Sequence, residues 1–258
     1  MSTKLFLDLP AILAEHGRAA LATVVSATGS TPREATARML VLPGGDTRGT
    51  IGGGKFESLV IEDAKKLLDD RGLPFTKRYD FLPEGPGTFG AVCGGTATVL
   101  LEVLEHAPRL LVVGAGHCGR ALARMASFAG WVVTVADERR EQLEPAAFPE
   151  GANLVHVKED YSDLPLPRPD DFVALVSRGH VTDGRAFRRL RGVPVAYLGM
   201  MGSNAKKKVL FDELRREGWA EDELARAHSP IGLAIGAESP EEIAVAIVAE
   251  LVKIRRGA

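Results

Sequence analysis

Leu110-Leu111-Val112-Val113-Gly114-Ala115-Gly116-His117-Cys118-Gly119 is the stretch that decides how this chain folds. Four apolar residues of β-forming character run directly into a G-x-G-x-x-G pattern, and a helical stretch, Cys118–Phe128, follows. The glycine pattern alone is weak evidence. Its setting strengthens it, because the next strand-like run, Val132–Ala136, leads into Asp137, about twenty residues beyond Gly116. Each glycine then has a physical task. Gly114 permits the tight turn, Gly116 lets a pyrophosphate approach the backbone, and Gly119 lets the helix pack closely on the strand. The free N–H groups at the helix start face the phosphates. Asp137 is expected to accept hydrogen bonds from ribose hydroxyls, favouring NAD or another nucleotide with an unphosphorylated ribose. Arg139 and Arg140, close behind, are placed to hold an extra phosphate.

Outward from this turn, strand and helix alternate. Candidate strands are Leu110–Val113, Val132–Ala136, Leu154–Val157, Phe172–Ser177 and Val195–Leu198. Helical stretches are clearest at Cys118–Phe128 and Gly184–Leu190, and two more helices, about Ala205–Glu217 and Pro240–Ile254, follow. This rhythm predicts a Rossmann-type, doubly wound parallel sheet of five strands. Its ligand crevice lies between the first and fourth strands, where the winding reverses. Arg178 and His180 then fall beside the glycine turn, with Asp183 just beyond; a polar loop on an exposed edge is the bland alternative. Ser203 reads as a helix N-cap with Lys206 on the first turn, more simply a cap than a second anion site.

Before residue 108 the pattern is mixed α+β. A short helix around Ala11–Glu15, strands at Ala20–Val25, Met39–Leu42 and Ala97–Val103, and a helix from Glu57 to Leu68 are expected. His106-Ala107-Pro108-Arg109 marks the boundary, giving units 1–107 and 108–258.

Composition narrows the function classes. A formal net charge of −2 over 258 residues gives no general attraction to nucleic acid or anionic membrane. Two cysteines fit a reducing compartment better than a secreted scaffold. Asp8, Pro10 and Glu15 interrupt the N-terminal apolar stretch and argue against a signal peptide, while Ile243–Val248 is too short to span a bilayer. A cytoplasmic protein is expected.

Three segments of the first unit carry more glycine and hydroxyl than turns alone require: Gly29-Ser30-Thr31-Pro32-Arg33, Gly49-Thr50-Ile51-Gly52-Gly53-Gly54-Lys55-Phe56-Glu57, and Cys93-Gly94-Gly95. Glycine runs bring backbone N–H groups close to an anion. Taken singly, each is equally a tight turn between strands. Their order, G-S-T-P-R then G-T-I-G-G-G-x-x-E then C-G-G, resembles the XdhC/CoxI family. The likeness continues through V-G-A-G-H, G-H-x-x-D at Gly179–Asp183, Y-L-G-M-M-G-S-x-x-K at Tyr197–Lys206, and S-P-I-G-L-x-I-G-A-x-S-P-E-E-I-A at Ser229–Ala244.

The resemblance implies a maturation factor that binds the molybdenum cofactor, a molybdopterin. Such a factor protects the cofactor during sulfuration of the metal and inserts it into a xanthine dehydrogenase-type molybdenum hydroxylase. A cysteine desulfurase is then a further expected partner, and a homodimer the expected assembly. Cys93 matches the family's C-G-G cysteine, a soft thiolate suited to molybdenum or to handling sulfur. Arg33, Gly52, Gly53, Gly54, Gly94 and Gly95 become candidates for the pterin phosphate. Cys93, Arg33 and the Gly114–Gly119 turn are expected to face one cleft, within a chain or across a dimer. Two positions depart from the family. Ser177-Arg178 stands where Thr-His is frequent, and Cys118 stands where an apolar residue is common; a core role is expected of it. The competing readings are an NAD-dependent oxidoreductase with His180 as acid/base, and a nucleotide sensor without chemistry.

Overall fold

Alternation of side chains builds the first sheet. In Arg18–Gly29 (β1), Ala20, Ala22 and Val24 face one way and Ala19 and Leu21 the other, all buried. β1 pairs antiparallel with Gly95–Glu105 (β5) along its whole length, with one irregularity between Val24 and Ser26. Arg38–Val41 (β2), Thr47–Gly49 (β3) and Phe75–Asp80 (β4) complete a five-stranded sheet ordered β3-β2-β1-β5-β4. Gly54–Asp69 (α2) covers one face with Phe56, Val60, Ala64, Leu67 and Leu68, a stripe at helical spacing. Ser2–His16 (α1) covers the other through Leu5 and Ile12. The computed structural model describes residues 2–29, 35–70, 72–81 and 95–257, and by its contacts the chain divides into one compact unit ending at His106 and another beginning at Ala107.

The second unit holds Arg109–Val113 (β6), His117–Phe128 (α3), Val132–Asp137 (β7), Asn153–His156 (β8), Phe172–Leu175 (β9) and His180–Arg189 (α4). Tyr197–Met200 (β10), Asn204–Arg216 (α5), Glu221–Ala225 (α6), Ala227–His228 (β11) and Pro240–Arg256 (α7) follow. All strand pairs are parallel, in the order β11-β10-β9-β6-β7-β8. β6 and β9 are apolar at nearly every position because helices bury both faces. Leu110 and Val112 join the core on the α3 and α7 side, Leu111 and Val113 that on the α4 and α5 side.

The Rossmann-type sheet expected from the sequence is present, with six strands where five were expected. The sixth, β11, has two residues, too few to leave a periodic signal. β9 stops at Leu175, short of Ser177, and α4 begins at His180, four residues before the expected Gly184. The polar first turn of α4 hid its start.

Two contacts show why glycine is needed at specific places. At Gly119 a Cβ would lie 1.8 Å from the Gly114 carbonyl oxygen, which is backbone and cannot yield cheaply. At Gly199 a Cβ would lie 2.6 Å from the Tyr197 hydroxyl oxygen. That hydroxyl donates to Glu250 Oε2 at 2.5 Å, and the same carboxylate oxygen accepts the Gly232 amide at 2.7 Å, so α7 is clasped to β10 and to the chain that follows β11. In an unobstructed helix Gly→Ala gains about 1 kcal/mol. Gly119→Ala should instead destabilise the second unit by about 2 kcal/mol, because overpacking against rigid backbone outweighs propensity. Urea unfolding followed by tryptophan fluorescence reads the sign.

Candidate nucleotide-binding crevice

The carboxyl end of β6 lies between β9 and β7, at the point where the strand order reverses. Gly114 has φ of 117°, and a Cβ there would meet the Val176 oxygen at 2.7 Å, so the turn is pressed against the exit of β9. Gly116, the residue before α3, has extended backbone, and a Cβ there would meet nothing within 4 Å. Of the three glycines, Gly114 and Gly119 serve close packing and Gly116 leaves open space at a helix N-terminus. The turn expected at Gly114 and the close packing expected at Gly119 are present, and the open space at Gly116 leaves the first amides of α3 as donors for an anion.

Asp137 differs from the expectation. Its side chain is fully buried, and its carboxylate accepts the Ala115 amide at 2.7 Å, the Arg139 amide at 2.8 Å, and Arg139 Nε and Nη2 at 3.0 and 2.9 Å. Both oxygens are committed to the protein, so they are not presented to a ribose. Asp137 instead ties the glycine turn to the end of β7. Arg139, expected to hold a phosphate, is spent on the same contact. Burial pushes the Asp137 carboxyl up; the Arg139 side chain and the two amides outweigh it and hold the group below its ordinary value.

Next along the chain, Glu138 accepts the Tyr161 hydroxyl at 2.7 Å and pairs with Arg178 Nη2 at 3.5 Å. Arg178 leaves β9 and Glu138 leaves β7, so this ion pair passes across the carboxyl end of β6. The Arg178 side chain is 61% exposed, and such a pair is weak and easily opened. Asp183, buried on the first turn of α4, accepts the Ser177 amide at 3.1 Å and fixes the β9 exit. His180 is the first residue of α4. Ser203 caps α5, its Oγ accepting the Lys206 amide at 3.4 Å, as a simple cap requires. Cys118 is half-buried, and burial with the nearby Glu241 carboxylate raises its thiol pKa, the reverse of thiolate activation.

In the first unit, Gly52, Gly53 and Gly54 all adopt positive φ. The amides of Gly52 and Gly53 are already occupied. Glu57 Oε2 accepts Thr50 Oγ1 at 2.6 Å, the Ile51 amide at 3.1 Å and the Gly53 amide at 3.0 Å, while the Gly52 amide turns to Thr50 Oγ1. The expected cradle for an external anion is thus filled by the chain's own carboxylate. Burial opposes its charge, but these bonds prevail and hold Glu57 below its usual range. Sequence reading overlooked Glu57, although G-T-I-G-G-G-x-x-E contains it at helix spacing from the loop. Gly95 opens β5, its carbonyl accepting the Phe81 amide at 2.8 Å. Arg33, Cys93 and Gly94 lie outside the described residues. Among the described residues no cluster of three metal-ligating side chains occurs, and no helix is long and apolar enough to cross a membrane.

Family models match parts of both units. A family model for the XdhC Rossmann domain matches residues 110–251, and one for the XdhC and CoxI family matches residues 12–80. The chain belongs to the XdhC/CoxI family. Among its XdhC/CoxI-like relatives is an uncharacterized Escherichia coli (strain K12) protein, YqeB, 38% identical over 244 residues, covering 93% of this chain and 44% of that protein. A protein of Bacillus subtilis (strain 168), named as a probable subunit of xanthine dehydrogenase, is 29% identical over 163 residues, 62% of this chain and 47% of that protein. The chain therefore spans under half the length of the curated relatives it matches. A crystal structure of a xanthine dehydrogenase from Bacillus halodurans shares the fold with a TM-score of 0.54 and 23% identity, over 96% of this chain and 95% of that one.

The Asp137 contact makes a pH prediction for this family's glycine turn. A carboxyl whose folded pKa is depressed contributes stability that is present above the unfolded pKa and lost as pH falls through the folded value. Asp137→Asn should cost about 3 kcal/mol near neutrality, since it leaves Arg139 and the Ala115 amide poorly matched. Denaturant titrations across the acid range should show the gap between wild type and variant closing as pH drops below the usual carboxylate range. A gap independent of pH sinks the assignment.

Proposed function

We propose that the chain is an accessory factor that binds the molybdenum cofactor as cargo and delivers it, after sulfuration, to a xanthine dehydrogenase-type molybdenum hydroxylase. The observation that carries this reading is family membership spanning both units, and the name of the Bacillus subtilis relative supports the kind of partner. Gly116 and the first amides of α3 form a site that fits the phosphate end of an anionic ligand, because the backbone there is open and no side chain caps the helix. Arg178, exposed at the rim, neutralises that phosphate once its weak contact with Glu138 opens. His180 at the start of α4 is a polar partner for the same ligand, with Ser203 and Lys206 at the neighbouring strand end.

In the first unit Arg33 and the glycines at 94 and 95 guide the pterin. Glu57 keeps the Gly52–Gly54 loop in shape whether or not cargo is bound. Cys93 supplies the thiolate that addresses the metal or its sulfur, in the cytoplasm, with a cysteine desulfurase as sulfur donor and a homodimer as the working assembly. NAD is the lesser candidate for the crevice, because its usual ribose acceptor, Asp137, has no free oxygen.

Cys93→Ala should fold as the wild type does and lose stable retention of molybdenum cofactor. Protein isolated without oxygen, then assayed for bound molybdenum and for oxidised pterin fluorescence, reads this directly. A variant that retains the cofactor and still activates a molybdenum hydroxylase refutes the role of Cys93.

A further inference from the structure

The outer face of the second unit carries a cavity of about 580 Å³ between α3 and α7, different in kind from the glycine turn because helix side chains rather than backbone line it. That volume falls within the range of small-molecule sites. Its wall combines His117, Arg120 and Arg124 with Met125, Phe128 and a single carboxylate, Glu241.

The two guanidinium groups are held in place without being neutralised. Arg120 donates from Nε to the Ala115 oxygen at 3.0 Å and from Nη2 to the Gln142 backbone and side-chain oxygens at 3.2 and 3.1 Å. Arg124 Nη2 donates to the Ala147 oxygen at 2.8 Å. These acceptors are neutral, and among the described residues neither arginine pairs with a carboxylate. Elsewhere in the unit arginines are matched: Arg139 with Asp137, Arg188 with Glu217, Arg215 with Glu221. Fixed donors with uncompensated charge suit an anion, since the ordering of two long side chains is already done.

Beside them Phe128 is 90% exposed, the most exposed large apolar side chain of the described residues. Met125, one turn earlier on α3, also lines the cavity and is a side chain that adapts its shape to a ligand.

We propose that this groove binds an amphipathic organic anion, with its acidic head on Arg120 and Arg124 and its aromatic or acyl body on Phe128 and Met125. The head group is a carboxylate, sulfonate or sulfate; Glu241 on the opposite wall excludes ligands of high negative charge. Because Arg120 also grips the Ala115 oxygen, the site touches the glycine turn from behind. The groove binds its anion whether or not the chain carries the cargo proposed above.

Anilinonaphthalene sulfonate, an aromatic anion whose emission rises on leaving water, is the probe, with uncharged N-phenylnaphthylamine as its control. The full chain should bind one sulfonate probe, more weakly as salt is added, and the neutral probe about tenfold less tightly. Phe128→Ser and Arg124→Gln should each weaken the sulfonate about tenfold, the scale expected for one lost charged hydrogen bond or one lost aromatic contact. Phe128 is exposed, so its variant keeps the test valid even where Arg124→Gln unfolds, as circular dichroism would reveal. Unchanged binding in the folded variants, or equal affinity for the two probes, overturns the proposal. So does sedimentation showing that Phe128→Ser splits a dimer that binds no probe, since the groove is then an interface.

Discussion

The second unit depends on a buried carboxylate. Asp137 sits at the end of β7 with no solvent exposure, and its two oxygens take the amide of Ala115 and three donors of Arg139. A carboxylate is tolerated there only because every donor is supplied by the protein. In return it fixes the distance between β7 and the turn that follows β6. That turn in turn sets the start of α3, whose Gly119 passes against the Gly114 oxygen with no room for a side chain. The open approach at Gly116 is the outcome of these closures on either side of it.

The first unit repeats the device with different parts. Three glycines of positive φ align amides at the start of α2, and Glu57, one turn into that helix, reaches back to receive two amides of the loop with the Thr50 hydroxyl. In both units a glycine-rich loop that sequence alone marks as an anion site already contains an anion. The loops are preorganised by internal charge.

How much of this was legible before the structure varies with the range of the interaction. The strand-turn-helix of residues 110–128 and the doubly wound class follow from local pattern, because hydrophobic period and glycine placement are near-neighbour properties. The turn at Gly114 and the close packing at Gly119 were readable for the same reason. The fate of Asp137 was not. Whether a strand-end carboxylate turns outward to a ligand or inward to an amide depends on Arg139 folding back two residues, a choice of rotamer that composition does not encode. β3, β4 and β11 were missed because each is short, or exposed along most of its length and without an apolar alternation. Glu57 was missed because a carboxylate inside a glycine motif reads as ordinary helix surface until its hydrogen bonds are seen.

β4 has a consequence for how the first unit meets other chains. Among the described residues it is the outermost strand on its side, pairing with β5 alone, and its first four residues, Phe75 to Arg78, are exposed. Lys77 is anchored to Asp63 at 2.6 Å and Arg78 to Asp80 at 2.8 Å, so the rim carries charge held in place. A foreign strand seeking to continue the sheet would have to strip water from both cations. The opposite rim, β3, offers three residues only. The sheet is protected at both margins against the edge-to-edge stacking that drives aggregation.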